Sequence, residues 1–432
     1  MHFTDCTRYS KNTSSIINNV RSHAETYGRW DEIVDLPVDY LRTSVYHTWD
    51  GKTPQECIDE LETCPLVFPD RADKVIVSYT NLMEFSKIGN WDFAFDPSWD
   101  TDNDALIDSG ITNLPDYVDT TVFNEAWKNY VAVYWKDSWK TVLKKRTDIA
   151  AKQNFDGIML DVMTGYFTWM NAYSDSDIDD LRQKSVTLIK EISDYAKTKY
   201  GTAFIITANL DRDTCLYFED IGTYVDGGYF QNAFFNWDGS AIVNGYGLSE
   251  SEESYVNSPL DFIKNQGFSL LNMDHLGTGS VASGLEFENY DERITEEKLL
   301  LIFRWAAESG SLPFVTEVFM SEIYIEIPRF SRVIPGKAAF GNTEYRDWVL
   351  GSDSDDEVLT GSGDDLFYGG RGNDRFEGGP GTDTALFTGK KSSYTITQEN
   401  GSSTVVDSTG QDGVDTLIDV ERIIFNDMIY EF

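Results

Sequence analysis

Long apolar runs are scarce in this 432-residue sequence. None approaches the roughly 18 residues that a membrane helix requires, so no helical membrane insertion is expected. The N-terminus, M-H-F-T-D-C-T-R-Y-S-K-N, lacks the charged-then-apolar order of a cleavable signal peptide. Either the protein stays inside the cell or it leaves by another route. Cysteine is also sparse. Cys6, Cys57, Cys64 and Cys215 are too few for a disulfide framework, although Cys57 and Cys64 are near enough in sequence to pair across a loop. Free thiols are expected. Positive charge is short of negative, with 35 Lys plus Arg against 73 Asp plus Glu, a net charge of −38. Nucleic acid and anionic membrane surfaces would both be repelled by such a chain. Calcium or a salty medium suits it better. G-x-S-x-G, a Gly-rich phosphate loop and H-E-x-x-H are all missing, which leaves serine hydrolase, P-loop and zincin chemistry without support.

What is present centres on Asn154 to Tyr166, N-F-D-G-I-M-L-D-V-M-T-G-Y. Asp156 and Gly157 form a turn, Ile158, Met159 and Leu160 form an apolar run without polar alternation, and Asp161 follows at once. Such a run reads as a parallel strand covered on both faces. In barrels of parallel strands the chemistry lies at the carboxyl ends. Asp161 is therefore the first candidate for catalysis, with an acidic N-cap or loop anchor as the alternative.

Eight strands can be read between residues 41 and 317: Leu41–Tyr46, Lys74–Thr80, Tyr130–Trp135, Gly157–Val162, Ala203–Asn209, Thr223–Phe230, Gly267–Asp274 and Ser311–Glu317. Helical patterns separate most of them. Ser176 to Lys199 places Ile178, Leu181, Leu188, Ile189, Ile192 and Tyr195 on one face, with Asp175 or Ser176 as cap. Thr295 to Glu308 carries Leu299, Leu300, Ile302, Phe303 and Ala306 and stops at Gly310. Strands alternating with helices give a parallel sheet, and eight of them close a (β/α)8 TIM barrel of about 250 residues or more. A long insertion runs from Glu84 to Asn129. Residues 1–35 are polar and mixed, and read as a lead-in outside the core.

After Asp347 the composition changes. Residues 351–386 fall into nine-residue units, G-S-D-S-D-D-E-V-L, T-G-S-G-D-D-L-F-Y, G-G-R-G-N-D-R-F-E and G-G-P-G-T-D-T-A-L. They follow G-G-x-G-x-D-x-U-x, fully in the third unit and with substitutions in the first two. Glycines permit the tight turn, the sixth-position Asp supplies charge, and the apolar eighth position packs a short strand. Turns on one side of a two-sided roll lie two units apart, which pairs Asp356 with Asp374 and Asp365 with Asp383 around structural calcium. A flexible Gly/Asp-rich linker is the alternative, but linkers keep no nine-residue period. These units resemble the RTX, or haemolysin-type, calcium-binding family, and the strand-rich tail after them resembles the cap that often follows such repeats. The resemblance implies export by a type I secretion apparatus through an uncleaved C-terminal signal, and a roll that folds when it meets calcium outside the cell.

Upstream, Y-T-N-L-M-E-F at 79–85, V-Y-W-K-D-S-W at 133–139, N-F-D-G-I-M-L-D-V at 154–162, V-D-G-G-Y-F-Q-N-A-F-F-N-W at 225–237 and N-M-D-H at 272–275 resemble the endo-α-1,4-polygalactosaminidase-like glycoside hydrolases of family 114. That resemblance implies hydrolysis of a galactosamine-containing polysaccharide by acidic residues at strand ends. Glycoside hydrolysis needs two carboxyl groups flanking the bond. Asp161 matches the family's carboxylate after the fourth strand, whereas the family's second acid falls on Gln231, whose amide does not titrate. Glu84 and Glu317 are the first candidates to replace it, with Asp274 behind them. For each one a structural salt bridge is the competing explanation. Tyr79, Trp135, Tyr166, Trp169, Tyr229 and Trp237 stand at or beyond expected strand ends, where rings can stack on sugars. Asn209 is placed to hydrogen-bond a hydroxyl. His275 lies beside Asp274, yet a lone His is more often a structural residue.

The expected organisation is a lead-in at 1–35, an α/β barrel at 36–347 and an all-β calcium-binding parallel β-roll with its cap and secretion signal at 348–432. Two functions stay open: a secreted glycosidase, or a non-catalytic carbohydrate-binding barrel that has lost its second acid at Gln231. An RTX-anchored surface protein with a purely structural barrel is a third, which leaves Asp161 and the aromatics unexplained.

Overall fold

The computed structural model describes residues 3–5, 40–43, 75–86, 93–102, 104, 106–125, 128–210, 212–231, 269–275, 296–309, 312–316, 329–333, 346–399 and 401–432. Contacts divide the chain into two units. The first takes residues 3–293 and 316–322, and the second takes 1–2, 294–315 and 323–432. No helix among the described residues is long and apolar enough to cross a membrane.

The first unit is built on parallel strands β1 (Phe3–Asp5), β2 (Tyr40–Thr43) and β3 (Val75–Asn81), followed after an insertion by further strands. The insertion is bracketed by β4 (Glu84–Phe85), β5 (Phe123–Asn124) and β6 (Asn129–Val131), which form a separate antiparallel sheet in the order β4-β6-β5. The parallel sheet then continues with β7 (Gly157–Asp161), β8 (Ile205–Leu210), β9 (Gly227–Gln231) and β10 (Ser269–His275). Neighbours along β1-β2-β3-β7-β8-β9-β10 pair in parallel throughout.

Two expectations are corrected here. Tyr130–Trp135 is not a strand of the parallel sheet, because β3 pairs directly with β7. Its apolar residues are buried by the insertion instead. The amide of Ala132 donates to Met83 O at 2.8 Å and that of Val133 to Tyr117 O at 2.8 Å, so both are satisfied by loop carbonyls rather than by a ladder. Conversely, the segment read as a lead-in contributes a strand: Phe3–Asp5 pairs with Tyr40–Thr43. The last expected strand is present as β11 (Leu312–Thr316), in a stretch that contacts assign mainly to the second unit.

Strand β7 is buried along Gly157 to Leu160, and only Asp161 is partly exposed. Gly157 is required by close approach, since a Cβ there would lie 1.8 Å from the Ile205 carbonyl oxygen of β8. Helix α1 (Asp137–Lys152) buries Trp139, Leu143, Arg146 and Ile149. Helices α2 (Tyr166–Ala172) and α3 (Ile178–Tyr200) follow β7, and α4 (Arg212–Tyr217) follows β8. The cap of α3 is Asp177, whose carboxylate accepts from the amides of Asp179 and Asp180, two residues or less from the caps expected. Its buried face carries Leu181, Leu188, Ile189 and Ile192, as the periodicity requires.

The second unit holds α5 (Glu296–Ser309), with Leu299, Ile302, Phe303 and Ala306 buried, and β12 (Arg329–Arg332). Beyond it short strands alternate between two sheets: β13 (Asp347–Leu350), β14 (Glu357–Leu359), β15 (Leu366–Tyr368), β16 (Arg375–Glu377) and β17 (Thr384–Leu386). The hairpin β18 (Tyr394–Glu399) and β19 (Ser402–Asp407) follows, then β20 (Val414–Ile418), β21 (Arg422–Ile424) and β22 (Ile429–Glu431). One sheet runs β12-β13-β15-β17-β21-β22 and the other β14-β16-β20-β19-β18. Odd and even repeats thus occupy opposite sheets, the two-sided roll that the nine-residue period predicts. The eighth residues of the four units, Val358, Phe367, Phe376 and Ala385, share one apolar core with Val349, Val405, Leu417 and Ile423.

Candidate active site and calcium turns

Parallel pairing brings the strand ends into register. Asn81 lies opposite Asp161, Asn209 opposite Tyr229, and Gln231 opposite Met273, with Asp274 next along β10. Asp161 is held from two sides. Asn209 Nδ2 donates to Asp161 Oδ1 at 2.7 Å, and the Val162 amide donates to the same oxygen at 2.9 Å. Oδ2 accepts no hydrogen bond among the described residues. Val162 sits at φ 56°, a left-handed conformation costly for a β-branched residue. The backbone therefore turns sharply just past the carboxylate, and Leu82 N fastens it by donating to Asp161 O at 2.8 Å.

The end of β3 is braced from α1. Arg146 donates through an Nη to Asn81 O at 2.6 Å, Trp139 Nε1 donates to Leu82 O at 2.9 Å, and the guanidinium stacks 5.0 Å from the Trp139 ring. Asn81 Oδ1 in turn accepts from the amides of Met83 and Glu84. Trp139, the second tryptophan of V-Y-W-K-D-S-W, is thus a brace for the strand end.

Glu84 is only 2% exposed. Its two oxygens accept from Asn124 Nδ2 at 2.9 Å and Asn129 Nδ2 at 2.8 Å, which ties β4 to both strands of the insertion. Burial raises its pKa above the ordinary carboxylate value, and the nearby charge of Asp161 adds to this. The amide hydrogen bonds pull the other way. A carboxyl so enclosed holds the insertion in place and is not open to a sugar in this structure. Glu317 and Trp237 lie outside the described residues. Tyr229, Gln231 and Asp274 occupy strand positions, and their side chains are outside the described set.

The aromatic candidates divide. Tyr166 is fully buried and donates its hydroxyl to Asp213, which also pairs with Arg182, Nε to Oδ2 at 2.9 Å. Trp169 is 6% exposed and donates to Ala132 O at 3.1 Å. Both rings pack between elements. Trp135 is half-buried, 5.0 Å from the Trp169 ring, and carries Lys184 Nζ at 4.3 Å over its face. Tyr79 is half-buried two residues before the end of β3. Among the described aromatics between β7 and α3, Phe167 and Tyr173 are the exposed ones, and neither was singled out from sequence. Phe167 lies in a seven-residue helix and Tyr173 caps its end, a segment too short to show a period.

In the second unit the sixth-position aspartates form hydrogen-bonded columns. Asp374 Oδ1 accepts from the Asp356 amide at 2.8 Å, and Asp383 Oδ1 from the Asp365 amide at 2.9 Å. Oδ2 of Asp374 and of Asp383 are buried and accept no hydrogen bond. Burial, reinforced by neighbouring carboxylates, pushes the Asp374 pKa up to about 8 and that of Asp383 to about 7, against the opposing hydrogen bonds from Asp356 and Asp365. Orphaned carboxylate oxygens at the mouths of glycine turns are the hard donors that calcium takes. A Cβ on Gly369 would fall 2.1 Å from Asp374 Oδ2, so only glycine leaves that oxygen room. The columns reach further than the repeats. Asp365 Oδ1 accepts from the Asp347 amide at 2.7 Å, Asp415 Oδ1 from the Asp374 amide at 2.8 Å, and Glu421 Oε2 from the Asp383 amide at 2.7 Å. Sequence reading missed these three, although D-W-V-L, D-T-L-I and E-R-I-I each repeat an acid followed two residues later by an apolar core residue.

Comparison with known proteins accords with both units. Residues 94–215 match the glycoside-hydrolase family GH114, and residues 350–385 match four copies of the RTX calcium-binding nonapeptide repeat. An uncharacterized protein of Methanocaldococcus jannaschii is 24% identical over 253 residues, covering 57% of this chain and 61% of the relative. An uncharacterized protein of Thermotoga maritima is 25% identical over 210 residues, covering 48% and 58%. The chain thus spans about three fifths of the length of the curated relatives it matches. Among solved structures, the glycoside hydrolase domain of PelA from Pseudomonas aeruginosa aligns with TM-score 0.43 at 14% identity, covering 74% of this chain and 96% of that one. Aspergillus fumigatus Ega3 in complex with galactosamine aligns with TM-score 0.40 at 10% identity, covering 74% and 92%. Residues 94–215 are thus similar to GH114 glycoside hydrolases, and residues 350–385 to RTX calcium-binding repeats.

Proposed function

We propose that this protein is a secreted glycoside hydrolase that cleaves a galactosamine-containing polysaccharide by acid-base catalysis, with Asp161 as its central carboxylate and an RTX roll that folds on calcium. The observation that carries the reading is the setting of Asp161. It ends a buried parallel strand, is partly exposed, and is oriented through Oδ1 alone by Asn209 and the Val162 amide, leaving Oδ2 for chemistry. In this reading the parallel strands, β1 (Phe3–Asp5) among them, close as a barrel whose strand ends form its catalytic face, and the calcium-binding roll follows. A carboxylate so placed supports an oxocarbenium-like transition state, and a second carboxyl group must protonate the leaving oxygen. Glu84 is enclosed by Asn124 and Asn129, so Glu317 becomes the first candidate for that acid. Export by a type I apparatus and folding in external calcium fit the match to RTX repeats.

A second reading is favoured by two of the same observations. Gln231 stands where the family's second acid is expected, and Glu84 is closed off, which leaves a glycan-binding barrel without turnover. New reducing ends released from partly deacetylated galactosamine polymer separate the two. Turnover by the wild type supports the hydrolase with a relocated acid. Binding without turnover, together with a gain of activity in Gln231→Glu, supports the degraded site.

A further inference from the structure

The 410–415 turn in the cap stacks on the calcium turns as though it were one of them. Three turns, 351–356, 369–374 and 410–415, stand in one column, although 18 residues separate the first pair of aspartates and 41 the second. The β18–β19 hairpin accounts for the longer step, because it is inserted between two layers of the same column.

The inter-layer bonds and the glycine two residues before the aspartate recur in the third layer, although Gln411 replaces the second glycine of the repeat turn. Arg375 N donates to Asp356 O at 2.8 Å, and Thr416 N donates to Asp374 O at 2.8 Å. Gly372, two residues before Asp374, has φ 126°, and Gly413, two residues before Asp415, has φ 81°. A Cβ on Gly372 would fall 2.7 Å from the Ser354 carbonyl carbon, and one on Gly413 would fall 1.9 Å from Gly372 O, so the layers touch backbone to backbone. Asn373 joins the layers on both sides. Its amide donates to Asp355 Oδ1 at 2.8 Å, and its own Oδ1 accepts from Val414 N at 3.0 Å. Leu417, two residues beyond Asp415, enters the same core as Phe376.

Independent of that geometry, the buried, unpartnered Oδ2 of Asp374 beside a second buried carboxylate points to a cation. Asp374 is 2% exposed and its Oδ2 accepts nothing. Asp415 is 5% exposed, and its one hydrogen bond, from the Asp374 amide, falls on Oδ1, so its Oδ2 accepts none among the described residues. Buried charges are paired with an opposite charge or coordinate a metal, and buried polar atoms are hydrogen-bonded. The other column differs, since Glu421 in its last layer is exposed.

We propose that the 410–415 turn of the cap, through Asp415, forms a calcium site with the 369–374 turn, one layer beyond those the nonapeptide repeats supply. The hairpin cap is then held to the roll by metal as well as by its core, and calcium locks the C-terminal end of the roll.

The test is calcium stoichiometry of the full chain, by equilibrium dialysis against calcium alone, for the wild type and for Asp415→Asn. The substitution keeps Oδ1 as acceptor for the Asp374 amide and removes the charge. The expected result is one calcium ion fewer per chain, with the calcium-induced β signal in circular dichroism retained. The same number of ions bound at the same affinity overturns the proposal. Where Asp415→Asn fails to fold in calcium, anomalous scattering from wild-type crystals grown in calcium decides. A peak between turns 369–374 and 410–415 supports the site. Peaks at the repeat turns with none there refute it.

Discussion

Removing the Asn209 side chain tests whether Asp161 owes its orientation to its neighbour on β8. Asn209→Ala deletes the 2.7 Å bond from Nδ2 to Asp161 Oδ1 and leaves the Val162 amide as that oxygen's remaining donor. Hydrogen bonds to charged groups contribute roughly 1.5–3 kcal/mol. If that bond is at full strength in the transition state, its loss lowers kcat/KM by roughly 10- to 150-fold, at about 1.4 kcal/mol per factor of ten. Asn209 is half-buried at a strand end, so the melting temperature should fall far less than activity does. Initial rates of reducing-end release from a partly deacetylated galactosamine polymer provide the assay. A double-mutant cycle with Asp161→Asn gives the sharper result, because a residue that acts through Asp161 has nothing left to orient once the carboxylate is gone. The double variant should be no slower than Asp161→Asn alone. Independent, additive losses would refute the positioning role.

Two further perturbations address the framework. Phe376 is fully buried in the roll core, with the Phe367 ring 5.2 Å away, so Phe376→Ala should cost roughly 3–5 kcal/mol and raise the calcium concentration needed to fold the roll, read by circular dichroism during a calcium titration. An unchanged midpoint would remove Phe376 from the core. Glu84, whose pKa is raised chiefly by burial, binds its proton more tightly folded than unfolded. Its contribution to stability is therefore full below the unfolded value of about 4.3 and is lost as pH rises through the folded value. Glu84→Gln carries no such dependence, so its melting temperature should gain on the wild type as pH rises through that window. A pH-independent difference would contradict the buried ionisable state.

Some of this was legible in the sequence because one physical requirement fixed each feature. Ile158, Met159 and Leu160 have no polar alternation because β7 is covered on both faces, and the nine-residue period follows from a roll in which each turn needs glycine and each strand one apolar residue. Tyr130–Trp135 misled for a related reason. Its apolar run is as buried as a central strand, yet it is covered by the inserted loop, and composition does not tell the two covers apart. Phe3–Asp5 was invisible because a three-residue strand is too short to show a period. In the site, Asp161 was readable from its place after an apolar run. The enclosure of Glu84 was not, because Asn124 and Asn129 lie about 40 residues away in sequence and meet it only through the antiparallel sheet. The aromatics were ambiguous for the reason Tyr166 and Trp169 illustrate: a ring just beyond a strand end serves packing as readily as stacking on sugar.

The central claim is that Asp161 performs glycosidic hydrolysis, and the most direct measurement is reducing-end release from partly deacetylated galactosamine polymer by calcium-loaded wild type and Asp161→Asn side by side. The account predicts turnover by the wild type and only a small residual rate of release by a variant that melts at the same temperature. Release by Asp161→Asn at the wild-type rate would contradict it.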